Sequence, residues 1–163
     1  MEWVFAAERH YVALAMKQPD LKPLALSRAQ HAAAAGAVAS RYLAIGTPRS
    51  LSVIGNGPLS IEAHTTWFKP TDLRSTLGLP GTRQVPLAEA LTADIVCIHE
   101  PLSIGPGQLR RGTHVNALAA VAIDPEIVLQ RYDEATDLPA LAAGLVDGRV
   151  LDELTLFTLA SRA

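Results

Sequence analysis

Short unbroken apolar runs alternate with stretches of helical spacing along this chain, and together they predict a sheet layered with helices. The runs SLSVI (50–54), ADIVCI (93–98) and THVNAL (113–118) are rich in branched apolar residues, the form expected of strands buried on both faces of a parallel sheet. Between and beyond them lie the helix-like pieces PLAEALT, DPEIVLQR and LPALAAGLV. The strongest helix signal is Ser27 with Gln30 three residues on, a capping-box pair, ahead of the Ala-rich run HAAAAGAVASRYLA that ends near Gly46 and Pro48. Its alanines and Gly36 leave a thin surface that a neighbour can approach closely, so this helix is expected to be buried. At the N-terminus, EWVFAAERHYVALAMK reads as two β-prone runs around a charged ERH turn, a β-hairpin. The fold class that follows is α/β, a parallel sheet flanked by helices with an N-terminal β-hairpin.

Composition narrows the partners. With 163 residues, 49% of them hydrophobic, the chain can bury one sizeable core and is expected to form one domain. Its 14 basic and 16 acidic residues give a net charge of -2, which offers no electrostatic footprint for nucleic acid or an anionic membrane. A single cysteine, Cys97, cannot form an internal disulfide, and the N-terminal residues lack the basic start and long apolar stretch of a signal peptide, so a cytoplasmic location is expected.

The strand SLSVI runs into Gly55-Asn56-Gly57-Pro58-Leu59-Ser60. In a dinucleotide turn the first glycine makes the bend, the second lets the backbone approach the pyrophosphate, and the third small residue lets helix pack on strand. Gly55, Gly57 and Ser60 have that spacing. Pro58 has no N–H, so it deletes one candidate phosphate donor, although proline also suits the first turn of a helix.

The segments RAQHAAAAGAVASRYLAIGTPRSLSVIGNG, ADIVCIHEP, LRRGTHVNAL, LAAGLVDGR and DELTLF, in this order, resemble the ornithine cyclodeaminase, mu-crystallin and archaeal alanine dehydrogenase family from about residue 24 onward. That resemblance implies a Rossmann-type NAD(P)-binding domain, here shortened, spanning 1–163, with residues 1–24 as a hairpin remnant of the family's separate substrate and dimerisation domain. It implies cofactor contacts at Gly55, Asn56, Gly57, Ser60 and Asn116, with NAD or NADP binding weakened or lost. From Gly55 to Asp94 the chain is too short for helix, strand, helix, strand and helix, which need about 45 residues. Either LSIEAHTTWF is the first helix and the second strand is gone, or TTWF is that strand and the helix has shrunk. In the second case Lys69 stands where the ribose-binding acid is expected, which would favour NADP, although a lysine there also reads as an ordinary exposed loop residue.

Catalytic positions depart from the family. Its essential acid falls on Val121, which cannot exchange a proton, and the nearest carboxylate, Asp124, reads as the cap of the DPEIVLQR helix. Its carboxylate-clamping arginine falls on His31, with Arg28 almost one turn earlier. His99 and Glu100 follow the ADIVCI strand at the edge where α/β sheets bind ligands, but neighbours on an extended chain point to opposite faces. No two of the five histidines have metal-ligand spacing, so no metal is expected. Cys97 reads as buried filler. The expectation is a pseudoenzyme, a degenerate Rossmann module that binds a nucleotide, a small anion or a protein partner and self-associates. The competing reading is a small NAD(P)-dependent oxidoreductase or cyclodeaminase-like enzyme completed by a second chain, with His99, Glu100 and His31 in new roles.

Overall fold

A computed structural model describes residues 2–149 and 152–160. The chain opens with helix α1 (Glu2–Ala15) and α2 (Arg28–Leu43), then β1 (Ser50–Ile54), α3 (Pro58–His64), β2 (Asp72–Ser75), β3 (Arg83–Gln84), α4 (Leu87–Ala90) and β4 (Ile95–Ile98). It continues through β5 (Leu102–Ile104), β6 (His114–Ala117), β7 (Val121–Ile123), β8 (Gln130–Asp133), α5 (Asp137–Ala142) and β9 (Thr155–Thr158). The main sheet has the order β3-β2-β1-β4-β6-β9-β8, and every pairing in it is parallel. Its first five strands follow the doubly wound order, which reverses direction between β1 and β4. A separate parallel pair, β5 and β7, lies beside it.

The three predicted inner strands form as expected, and all residues of β1, β4 and β6 are buried. One face of the sheet presents Leu51, Val53, Ile95 and Cys97, packed by Ile61, Phe68 and Leu118. The other presents Ile54, Val96, Ile98 and Val115 to Ala90 of α4, to Leu91 just after it and to the β5–β7 pair. Helix α2 has the predicted capping box, with the Ser27 hydroxyl accepting from the Gln30 amide and the Gln30 side chain accepting from the Ser27 amide. From Ala33 to Ser40 this helix is entirely buried. It lies close on the sheet: a Cβ built on Gly36 would be in van der Waals contact with the Asn116 side chain, at 3.4 Å.

Three expectations are corrected. Residues 2–15 form a helix, not a hairpin. Val4, Ala7 and Tyr11 are its buried residues, at helical spacing, and the ERH segment holds no glycine, proline or asparagine to close a tight turn. The DPEIVLQR segment is not a helix. Residues 130–133 pair with β9, and Asp124 instead caps a turn, its carboxylate accepting from the Glu126 amide. The second strand of the sheet is neither lost nor TTWF: it is β2, one step downstream. Space is saved by a short α3 and by joining β2 to β3 without a helix. Lys69 therefore precedes β2 and is exposed, while Ser75 and Thr76 stand at its carboxyl end. Among the described residues, no helix is long and apolar enough to cross a membrane.

Replacing Ser27 with Ala removes the hydroxyl arm of the capping box and should lower the unfolding free energy by about 1 kcal/mol, read as a shift of the urea midpoint with an unchanged slope.

Candidate functional site

Parallel strands place all their carboxyl ends on one edge, where ligands bind at the point of strand-order reversal. Here that edge carries Gly55 after β1, Thr76 after β2, His99 and Glu100 after β4, Leu118 after β6, Leu159 and Ala160 after β9, and Glu134 after β8. The glycine turn lies at the reversal. Gly55 adopts φ +88°, a left-handed conformation that glycine accommodates without strain, and its amide donates to Thr76 Oγ1 at 3.1 Å.

Gly57 precedes α3 as its cap residue, and Pro58 is the first helical residue. A Cβ built on Gly57 would collide with Cγ, Cδ2 and Nε2 of His99. The space kept open by this glycine is thus filled by the His99 imidazole, whose Nε2 lies 2.7 Å from Ser60 Oγ. The Ser60 amide is spent on the Gly57 carbonyl at 3.1 Å. Burial lowers the His99 pKa to about 4, so the ring is neutral in this position. Glu100 reaches back over the first glycine, with its Cγ 3.3 Å from a Cβ built on Gly55. His99 and Glu100 thus meet the same turn, because the strand ends at Ile98 and the alternation of faces ends with it.

Asn116 faces away from this turn, into the core. It is fully buried in a chain of hydrogen bonds. Arg149 Nη2 donates to Thr155 Oγ1, which donates to the Leu43 carbonyl and lies 2.8 Å from His114 Nδ1. His114 Nε2–H donates to Asn116 Oδ1 at 2.7 Å, and Asn116 Nδ2 donates to Ser40 Oγ at 2.9 Å. The Ser40 hydroxyl donates to His64 Nε2, and His64 Nδ1–H ends the chain on the Ser60 carbonyl at 2.7 Å. The Ser60 carbonyl only accepts, so the neutral His64 ring carries its proton on Nδ1. Burial lowers the pKa of His64 to about 4 and that of His114 to about 3. Cys97 Sγ lies 3.5 Å from Asn116 Nδ2, and burial pushes its thiol up to about 12, so no thiolate forms there.

At the far end of the same edge, sequence reasoning missed Glu134 and Tyr11. Glu134 Oε2 accepts from Tyr11 Oη and from His31 Nε2, both at 2.6 Å, and Oε1 accepts from the Ala160 amide at 3.0 Å. Burial alone would raise the Glu134 pKa, but these donors hold it below the usual carboxylate value. Arg28, His31, Ala32, Leu118, Glu134, Leu159 and Ala160 line a cavity of about 330 Å³. Val121 begins β7, away from this cavity. Among the described residues, no three His, Cys, Asp or Glu side chains are grouped to hold a metal ion.

Comparison with known proteins places this architecture. It is similar to an archaeal alanine dehydrogenase dimer with bound NAD, at a TM-score of 0.70 and 19% identity over 82% of this chain and 59% of that one. Similar too are the iminosuccinate reductase of Paracoccus denitrificans in complex with NAD+ (TM-score 0.68, 20% identity, 82% and 58%) and a probable ornithine cyclodeaminase from Bordetella pertussis Tohama I (0.65, 16%, 82% and 60%). The match thus spans about three fifths of each of these structures. No protein-family model matches the chain. No curated protein matches it. The α/β fold expected from the family resemblance is the fold these structures share.

The three neutral histidines set a pH dependence. Their folded pKa values lie below the ordinary 6.5, so the unfolded chain takes up protons first, and stability present above about pH 6.5 is lost as pH falls toward 4. Urea unfolding between pH 7 and 4 should show the free energy falling by roughly 1 kcal/mol per pH unit for each histidine. A flat profile would mean that the folded protein binds these protons as readily as the unfolded chain.

Proposed function

We propose that this chain is a Rossmann module of the ornithine cyclodeaminase, mu-crystallin and archaeal alanine dehydrogenase family that keeps the dinucleotide-binding architecture without the dinucleotide, and acts as a non-catalytic binding module. The observation that carries this reading is the His99 imidazole in the space beside Gly57. A pyrophosphate at the second glycine needs that space. Three features agree with it. Pro58 supplies no N–H, the Ser60 amide is already used, and the end of β2 offers Ser75 and Thr76 in place of an acid for the ribose hydroxyls. The residues present therefore do not fit NAD or NADP in this arrangement. The bound NAD of the similar structures is a property of those proteins.

The family's catalytic acid has Val121 as its counterpart here, and a valine transfers no proton. The competing enzyme reading, an NAD(P)-dependent oxidoreductase or cyclodeaminase-like enzyme completed by a second chain, requires the His99 ring to leave the cradle. A module of this kind acts through its surface. Leu14, 44% exposed in α1, and Met16, 62% exposed just beyond it, favour self-association there.

Two measurements test this reading. Titration with NADH and NADPH to about 1 mM should give no saturable change in nucleotide fluorescence with the wild-type protein, whereas His99→Gly, which empties the cradle, should gain weak binding. Micromolar binding by the wild type would refute the closed cradle. Sedimentation velocity over a concentration series should reveal a species heavier than the 17.3 kDa monomer, shifted back toward monomer by Met16→Glu. A monomer throughout would remove self-association.

A further inference from the structure

The chain holds two asparagines, Asn56 and Asn116, and the fold gives them opposite surroundings. Asn116 is fully buried, with Oδ1 on His114 Nε2 and Nδ2 on the Ser40 hydroxyl. Asn56 is exposed between the two glycines of the turn, and its carboxamide has no hydrogen-bond partner among the described residues.

An asparagine carboxamide can be attacked by the backbone nitrogen of the next residue, provided that this N–H is free and its approach is not blocked by a side chain. Ala117, after Asn116, lies in β6 between β4 and β9, where the ladder holds its amide. Gly57, after Asn56, donates its amide to no acceptor among the described residues and has no Cβ. Nor can a larger residue stand there, since a Cβ at 57 would collide with the His99 ring. The bare position that admits His99 to the cradle thus also leaves Asn56 open to its own backbone.

We propose that Asn56 is a site of spontaneous covalent modification that loosens the glycine turn. The Gly57 nitrogen gives its proton to solvent base and its electron pair forms a bond to Asn56 Cγ. The Cγ–Nδ2 bond breaks, ammonia leaves, and a cyclic succinimide remains. Water then opens the ring at either carbonyl. Opening at Cγ leaves aspartate; opening at the main-chain carbonyl leaves isoaspartate, whose backbone runs through Cγ and is longer by one methylene. Neither step needs a reactant other than water. Both products place a carboxylate next to Gly55, over which the Glu100 side chain already lies. In isoaspartate the added length falls between two fixed points, the Gly55 amide on Thr76 Oγ1 and the Ser60 hydroxyl on His99. The turn takes it up only by giving way at one of them. This chemistry is independent of what the module binds.

The test incubates the full chain at mildly alkaline and mildly acidic pH and follows its tryptic peptides by mass. Peptide 50–74 carries Asn56, and peptide 112–131 carries Asn116. Peptide 50–74 should gain the mass difference between a hydroxyl and an amino group, faster at alkaline pH, and its isoaspartate fraction should accept a methyl group from S-adenosylmethionine through an isoaspartyl methyltransferase. Conversion in the folded chain should be at least about tenfold faster than in 112–131 and within about tenfold of the free synthetic 50–74 peptide. Asn56→Gln should stop it at an unchanged thermal midpoint, and the separated isoaspartate form should melt below Asn56→Asp. The inference is overturned if the folded chain keeps 50–74 intact while the free peptide converts, if 112–131 converts as fast, or if the isoaspartate form melts with Asn56→Asp.

Discussion

The buried hydrogen-bond chain from Arg149 to the Ser60 carbonyl is the constraint on which the rest of this structure depends. It crosses the sheet from β9 through β6 to α2 and α3, and runs from the Arg149 guanidinium, which only donates, to the Ser60 carbonyl, which only accepts. A polar group left unpaired in such a core costs about 1–3 kcal/mol, so the network holds as a set. It also dictates who sits where. His114 and Asn116 alternate along β6 toward the helix layer, and Ser40 is buried in α2 within reach of Asn116. The chain ends on α3, the helix that follows the glycine turn, and so fixes the geometry of that turn from beneath.

Seen from the turn, the same packing brings α3 against the end of β4 at the carboxyl edge of the sheet. A helix as short as α3 places Ser60 against the end of β4, and His99 closes the gap by bonding to its hydroxyl. The neutral imidazole stacks its bulk where the second glycine was left bare. Gly55 needs its left-handed backbone to bend the chain, whatever stands beyond Gly57.

At the other end of the edge, charge is arranged around Glu134. One buried carboxylate receives donors from a helix, another helix and a strand end, and so joins three elements that share no sequence proximity. Arg28 stands outside that arrangement. The cleft thus has a neutral, closed half beneath the glycine turn and a polar, open half beneath the start of α2.

Much of this was legible in the sequence where local rules decide. Ser27 and Gln30 announced the start of α2, branched apolar runs announced β1, β4 and β6, and the glycine spacing announced the turn. The N-terminal helix was misread because Trp3, Val4, Phe5, Tyr11 and Val12 favour strands locally, while the helical spacing of Val4, Ala7 and Tyr11 gains its meaning only against α2 and α5. Residues 130–133 became a strand because β9, more than twenty positions later, offers its edge. The family resemblance makes Asn116 a candidate cofactor contact, and the fold buries it in the core. The sequence by itself determined the layer architecture and the bend at Gly55, since both follow from the period of apolar residues and from backbone sterics. Only the tertiary structure decided that His99 fills the space beside Gly57 and that Tyr11, His31 and Glu134 meet, because those contacts join residues far apart in the chain and depend on how closely the helices lie on the sheet.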